Sequence, residues 1–162
     1  MHRAKVLATA LLCITMVFSL NHSSAHALRA GSWSWPLSGA RTIERGYIAP
    51  HVFYGPGHRG IDLVAQQGQD VLSPADGVVH FVGTVVDRNL ISLELDGMLA
   101  TFEPVDSSLI EGQRVSRGQI IGVVGVSTHC TCLHMGARKG RDYLSPLAML
   151  ASIAPAVLLP WD

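Results

Sequence analysis

Two alternating runs, Leu90-Ile91-Ser92-Leu93-Glu94-Leu95 and Met98-Leu99-Ala100-Thr101-Phe102, meet at Asp96-Gly97. A two-residue hairpin turn of type I′ needs positive φ at both central positions, which Asp and Gly tolerate. The dipeptide between period-two runs therefore predicts a β-hairpin. Most of the chain after Gly60 follows the same pattern. Val71-Leu72 precedes a turn at Ser73-Pro74-Ala75-Asp76-Gly77, and Val78 to Val86 reads as a long apolar strand with Gly83 as its bulge. Gly112 and Gly118 punctuate the next stretch, Ile120 to Val124 reads as a buried strand, and Cys132 to Arg138 as another ended by Lys139-Gly140. Helical periodicity is nearly absent. Many short strands with glycine turns predict an all-β sandwich or barrel. Leu37 to Gly57 reads as an irregular wall with few core positions, in which Tyr47, His51, Phe53 and Tyr54 suit the rim of a groove. The apolar tail is broken by Pro155 and Pro160, leaving room for a short helix from Pro146 to about Ile153.

The first residues read as an export signal. Met1-His2-Arg3-Ala4-Lys5 is basic, Val6 to Leu20 is apolar, and Ala25-His26-Ala27 has the small-residue pattern of a cleavage site. The apolar run is short for a membrane span and contains Thr9, Thr15 and Ser19. The expected layout is a signal peptide at 1–27, an irregular segment at 28–57, a folded domain at 58–150 and a tail at 151–162. The expected location is outside the cell or in its envelope, with no membrane span after processing. From Leu28 on, ten Lys and Arg face twelve Asp and Glu, with no basic stripe to neutralise phosphates, so nucleic acid is not an expected partner. Cys130 and Cys132 survive processing. Export permits a disulfide, but a Cys-x-Cys ring is very small, and free thiols or thiols near a metal are equally open.

Three residues point to metal chemistry. His58 and Asp62 stand four apart in Gly57-His58-Arg59-Gly60-Ile61-Asp62, and His134 follows in Leu133-His134-Met135. If Gly60 to Leu63 begins a strand, Asp62 shares a face with Gly60 while His58 hangs from the preceding loop. His134 projects opposite to Leu133 and Met135. Two imidazoles and a carboxylate can converge on zinc, which needs only three protein ligands when water takes the fourth place. His51 reads as a loop residue, His80 as a packed histidine sharing a face with Val78 and Val82, and Arg59 as a rim charge.

The wording around these residues resembles the lysostaphin-type, or LytM-domain, zinc peptidases. Gly57 to Leu63 is similar to the family's first signature, Asp70 to Val79 to the strand-turn-strand after it, Glu111 to Gly122 to the next block, and Leu133 to Arg138 with Tyr143 to Leu147 to the last. The resemblance runs from about Trp35 to Leu150. It implies a β-sandwich with a groove, a duplicated hybrid motif, and one zinc held by His58, Asp62 and His134. It also implies peptide cross-links of bacterial peptidoglycan as substrate. Two positions depart from it. Where the family has a catalytic histidine after the hairpin, this chain has Pro104 within Phe102-Glu103-Pro104-Val105; where the last signature has its first histidine, it has Cys132. General acid–base assistance of that kind is typically worth roughly 100- to 10,000-fold. His129 and Glu103 are the candidate catalytic substitutes, with the strand period weighing against Glu103. Cys132 is a candidate fourth, sulfur ligand that would close the coordination sphere. A domain that binds cell wall or regulates a partner cell-wall hydrolase is the alternative function. A biotinyl- or lipoyl-type carrier would need a lysine at the Asp96-Gly97 tip, where there is none.

Overall fold

The computed structural model describes residues 32–39, 41–52, 54–126 and 132–150. The proposed leader, Phe53, His129, Cys130 and the tail after residue 150 lie outside them. Eleven strands appear among the described residues: β1 (Ile43–Arg45), β2 (Gly60–Val64), β3 (Asp70–Leu72), β4 (Gly77–Val85), β5 (Arg88–Leu95), β6 (Met98–Glu103), β7 (Val105–Asp106), β8 (Arg114–Val115), β9 (Ile120–Val124), β10 (Cys132–Lys139) and β11 (Asp142–Leu144). A helical turn, α1 (Leu147–Leu150), follows. No helix among the described residues is long and apolar enough to cross a membrane.

The strands form two antiparallel sheets. The larger has the order β1-β2-β10-β6-β5-β4-β8, with β11 also paired to β10; the smaller has the order β3-β9-β7. The hairpin expected at Asp96-Gly97 joins β5 to β6, with Leu95 opposite Met98 and positive φ at both turn residues. One apolar core joins the two sheets. The large sheet contributes Ile61, Leu63, Ile91, Leu93, Phe102, Leu133 and Met135, and the small one Val71, Ile121, Val124 and Val105. Trp33, Leu37 and Met149 close it. The expected all-β sandwich is therefore the fold.

Alternation is strict on β10. Leu133, Met135 and Ala137 are buried in the core, while His134, Gly136 and Arg138 are partly exposed on the opposite face. β2 and β6 alternate in phase with it, so the outer face of the large sheet presents Asp62 on β2, and Leu99, Thr101 and Glu103 on β6.

Some local expectations need correction. The long strand is bulged between Val79 and Phe81, at His80 rather than at Gly83. The extra residue turns His80 outward, so it is exposed rather than packed. The stretch read as irregular contains β1, which pairs with β2, and a bridge between Ile48 and His58.

Candidate metal centre

The pairing of β10 with both β2 and β6 sets a row of side chains across the sheet. His134 lies opposite Asp62 on one side and opposite Glu103 on the other. Directly opposed residues keep their Cβ atoms about 4.5–5.5 Å apart on one face. His58 precedes β2 by two residues and is clamped by its backbone, with Ile48 N donating to His58 O and His58 N donating to Ile48 O, both at 2.9 Å. A Cβ at Gly57 would lie 2.7 Å from Ile48 O, so this clamp requires glycine there.

The three side chains meet. His134 Nδ1 is 2.7 Å from Asp62 Oδ1, His58 Nε2 is 3.1 Å from the same oxygen, and the two ring nitrogens are 3.2 Å apart. His58 is buried at 7 % exposure, whereas the Asp62 and His134 side chains retain 16 % and 24 %, and His134 opens onto the cleft. His58 Nδ1 lies 2.7 Å from the Gly46 carbonyl oxygen, which can only accept. That contact puts the proton on Nδ1 and turns the Nε2 lone pair toward Asp62 and His134. Gly60 supplies the room. A Cβ there would lie 2.5 Å from His134 Nε2 and would strike the Met135 carbonyl.

This donor set fits zinc. Two imidazole nitrogens and a carboxylate oxygen are zinc ligands, and at bond lengths of about 2.0–2.2 Å tetrahedral partners stand about 3.4 Å apart. The observed contacts of 2.7–3.2 Å need to spread by less than an ångström.

The two departures from the family pattern differ in kind. Pro104 is buried and lies between β6 and β7. Proline has no N–H for the ladder, and there the chain leaves the large sheet to pair β7 with β9 in the small one. The strand period ends at Glu103, and Glu103 is the residue set beside His134. The strand period weighs against Glu103 only if it runs on unbroken through Pro104, and here it does not. Glu103 Oε2 is 3.5 Å from Arg88 Nε, which in turn is 3.9 Å from Asp87. Cys132 shares the strand face of His134 two residues away, but it is 2 % exposed and disulfide-bonded. A bonded sulfur is not a thiolate, which removes the proposed fourth ligand and leaves the coordination sphere open.

Other residues around the cleft carried weaker sequence signals. Ser92 and Thr101 hydroxyls hydrogen-bond each other at 2.8 Å on its floor. Arg59 donates to Gly55 O at 3.0 Å and lies 5.3 Å over the ring of Tyr143. Tyr47 donates to Tyr143 O at 2.9 Å and lines a second cavity of about 340 Å³ with His51, whereas Tyr54 is fully exposed. Gly46 acts through a carbonyl, and no sequence motif marks a carbonyl. Gly60 was visible only as part of a glycine-flanked histidine.

Residues 56–146 match the model of peptidase family M23. An uncharacterised protein of Mycobacterium tuberculosis (strain H37Rv) is 35% identical over 127 residues, covering 73% of this chain and 51% of that one. The murein hydrolase activator NlpD of Escherichia coli (strain K12) is 32% identical over 124 residues, covering 74% of this chain and 31% of that one. Among solved structures, a zinc-containing peptidase from Vibrio cholerae superposes with a TM-score of 0.62 at 25% identity, covering 74% of this chain and 41% of that one. This chain thus spans about half the length of the mycobacterial relative and about a third of NlpD.

Proposed function

The chain belongs to peptidase family M23, and from that premise we propose an exported zinc endopeptidase acting on peptide cross-links of bacterial peptidoglycan. The observation that carries the reading is the convergence of His58, Asp62 and His134 within hydrogen-bonding distance of one another, with one side open to the cleft. The residues would hold zinc, whose chemistry when bound is to polarise a carbonyl and lower the pKa of water. Gly46 O keeps the His58 ring in the tautomer that offers Nε2. Glu103, beside His134, is the general base: Arg88 engages its Oε2, leaving Oε1 to accept a proton from the attacking water. His129, in the segment just before β10, is the other candidate for that role. The Arg3–Lys5 and Val6–Leu20 pattern supports export to where the wall lies. The test is metal analysis of the purified full chain followed by incubation with purified peptidoglycan. One zinc per chain and release of wall peptides, abolished by chelation, is the expected result; a zinc-loaded protein that releases nothing overturns the peptidase reading.

A second reading has its own support. Both histidines that would complete the family's catalytic shell are replaced, one by a buried proline and one by a disulfide-bonded cysteine. A curated relative bears the name of a murein hydrolase activator. In that reading the same cleft binds wall peptide or a partner hydrolase without cutting. Stimulation of an added wall hydrolase by zinc-loaded, non-cleaving protein would favour it.

A further inference from the structure

The cleft extends well beyond the metal ligands, and its two ends differ in charge. A cavity of about 300 Å³ runs from His134 and Glu103 past Thr101, Ser92 and Gly136 to Arg138 and His80. It adjoins a second, of about 210 Å³, which Arg138 and His80 also line. The Glu103 carboxylate lies at the first end, where His134 in turn contacts Asp62. Arg138 lies on the same face of β10, four residues from His134. A strand rises about 3.3 Å per residue, so the separation is about 13 Å.

Between the two ends the floor is low and chemically quiet. Gly136 has no side chain, and the Ser92 and Thr101 hydroxyls hydrogen-bond each other. Arg138 is different. It is half-buried between Leu99 and Tyr143, its cross-strand partners. Among the described residues its guanidinium has no ion pair, hydrogen bond or ring contact. Arg88, Arg59 and Arg117, by contrast, are all engaged. Exposed Glu94 also lines the smaller cavity but is set one strand further away, opposite Leu99 on the far side. A fork of donors over an apolar wall, with no acceptor of its own, matches a carboxylate of the ligand.

We propose that Arg138, with His80 beside it, forms a subsite for a carboxylate of an extended peptide lying along the cleft. The carboxylate would sit about four residues from the carbonyl at the metal end, because an extended chain advances at nearly the same rise as the strand beneath it. The proposal rests on the reading of the cleft as a peptide-binding groove and adds the substrate class: a peptide carrying a negative charge at that distance. Arg138 selects substrate and does not take part in the chemistry.

The test compares N-acetylated tetra-alanine and penta-alanine as free acids with their carboxamides, titrated into the zinc-loaded full chain and followed by NMR. The expected result is acid binding roughly tenfold tighter than amide, since a charged hydrogen bond contributes about that much. Arg138→Gln should erase the preference, Arg138→Lys should keep part of it, and added salt should weaken acid binding selectively. Equal affinity of acid and amide in the parent protein, no binding of either at millimolar peptide, or an unchanged preference in a folded Arg138→Gln chain would each overturn the subsite. A retained acid preference in a protein that cleaves nothing would defeat the peptidase reading and leave the subsite standing.

Discussion

The two flanks of β10 carry neighbouring parts of one cleft but are built to different standards. On the β2 side, His58, Asp62 and His134 are over-determined. A two-bond backbone clamp, a carbonyl partner for the buried imidazole and two glycines that make room all converge on one arrangement. On the β6 side, Glu103 is held by a single half-exposed arginine at 3.5 Å, proline ends the strand, and Cys132 is tied into a disulfide. In the proposed function, holding a metal and using it would therefore fall to separate sets of residues, and either could change without disturbing the other.

The largest test of that separation removes a ligand. His58→Ala or His134→Ala should weaken zinc retention by more than about a hundredfold, because even partners outside the ligand set are worth 10- to 100-fold. Metal analysis after dialysis measures it, and full zinc in both variants would make the triad a purely hydrogen-bonded cluster. On the other flank, Glu103→Gln should cut wall-peptide release roughly a hundredfold while zinc content stays unchanged. Unchanged release would move the base elsewhere, with His129 next in line. The glycines sharpen the contrast within one register pair. Gly60→Ala should destabilise the fold by about 1–3 kcal/mol and reduce zinc affinity, since the new methyl would meet the Met135 carbonyl and the His134 ring. Gly136→Ala, whose nearest atom would be Arg59 O at 3.6 Å, should stay within about 0.5 kcal/mol in a denaturation experiment. Pro104→His should do least, with no strong gain in cleavage, because Cys132 is still bonded two residues from His134. Robust activity in that single variant would show that Cys132 is harmless.

Much of the architecture was legible because burial on one face of a sheet writes a period of two into the sequence. Leu133, Met135 and Ala137 against His134, Gly136 and Arg138 are the clearest case, and Asp96-Gly97 marked its hairpin outright. What stayed hidden were features that interrupt the period. The bulge that exposes His80 is made by one unpaired residue, and nothing about Val79-His80-Phe81 distinguishes it from regular alternation. Glu103 is a second case: unbroken alternation through Pro104 weighs against it, and only the change of sheet at that proline leaves Glu103 opposite His134. The site's residue types were visible in Gly57-His58 and Leu133-His134. Their spatial relation depends on the β2–β10 register, which links residues about 70 positions apart and carries no local signature.

The bridge between Ile48 and His58 has a kinetic consequence. Asp62 and His134 stand on strands paired with each other, but His58 is anchored to residues 46–48, which lie outside those strands. An ion held by all three would staple this flanking stretch to the large sheet. Its escape would then wait on an opening of the stretch rather than on the breaking of one coordination bond. Exchange of the ion with a chelator should therefore keep pace with hydrogen exchange of the Ile48 and His58 amides, the two donors of that bridge.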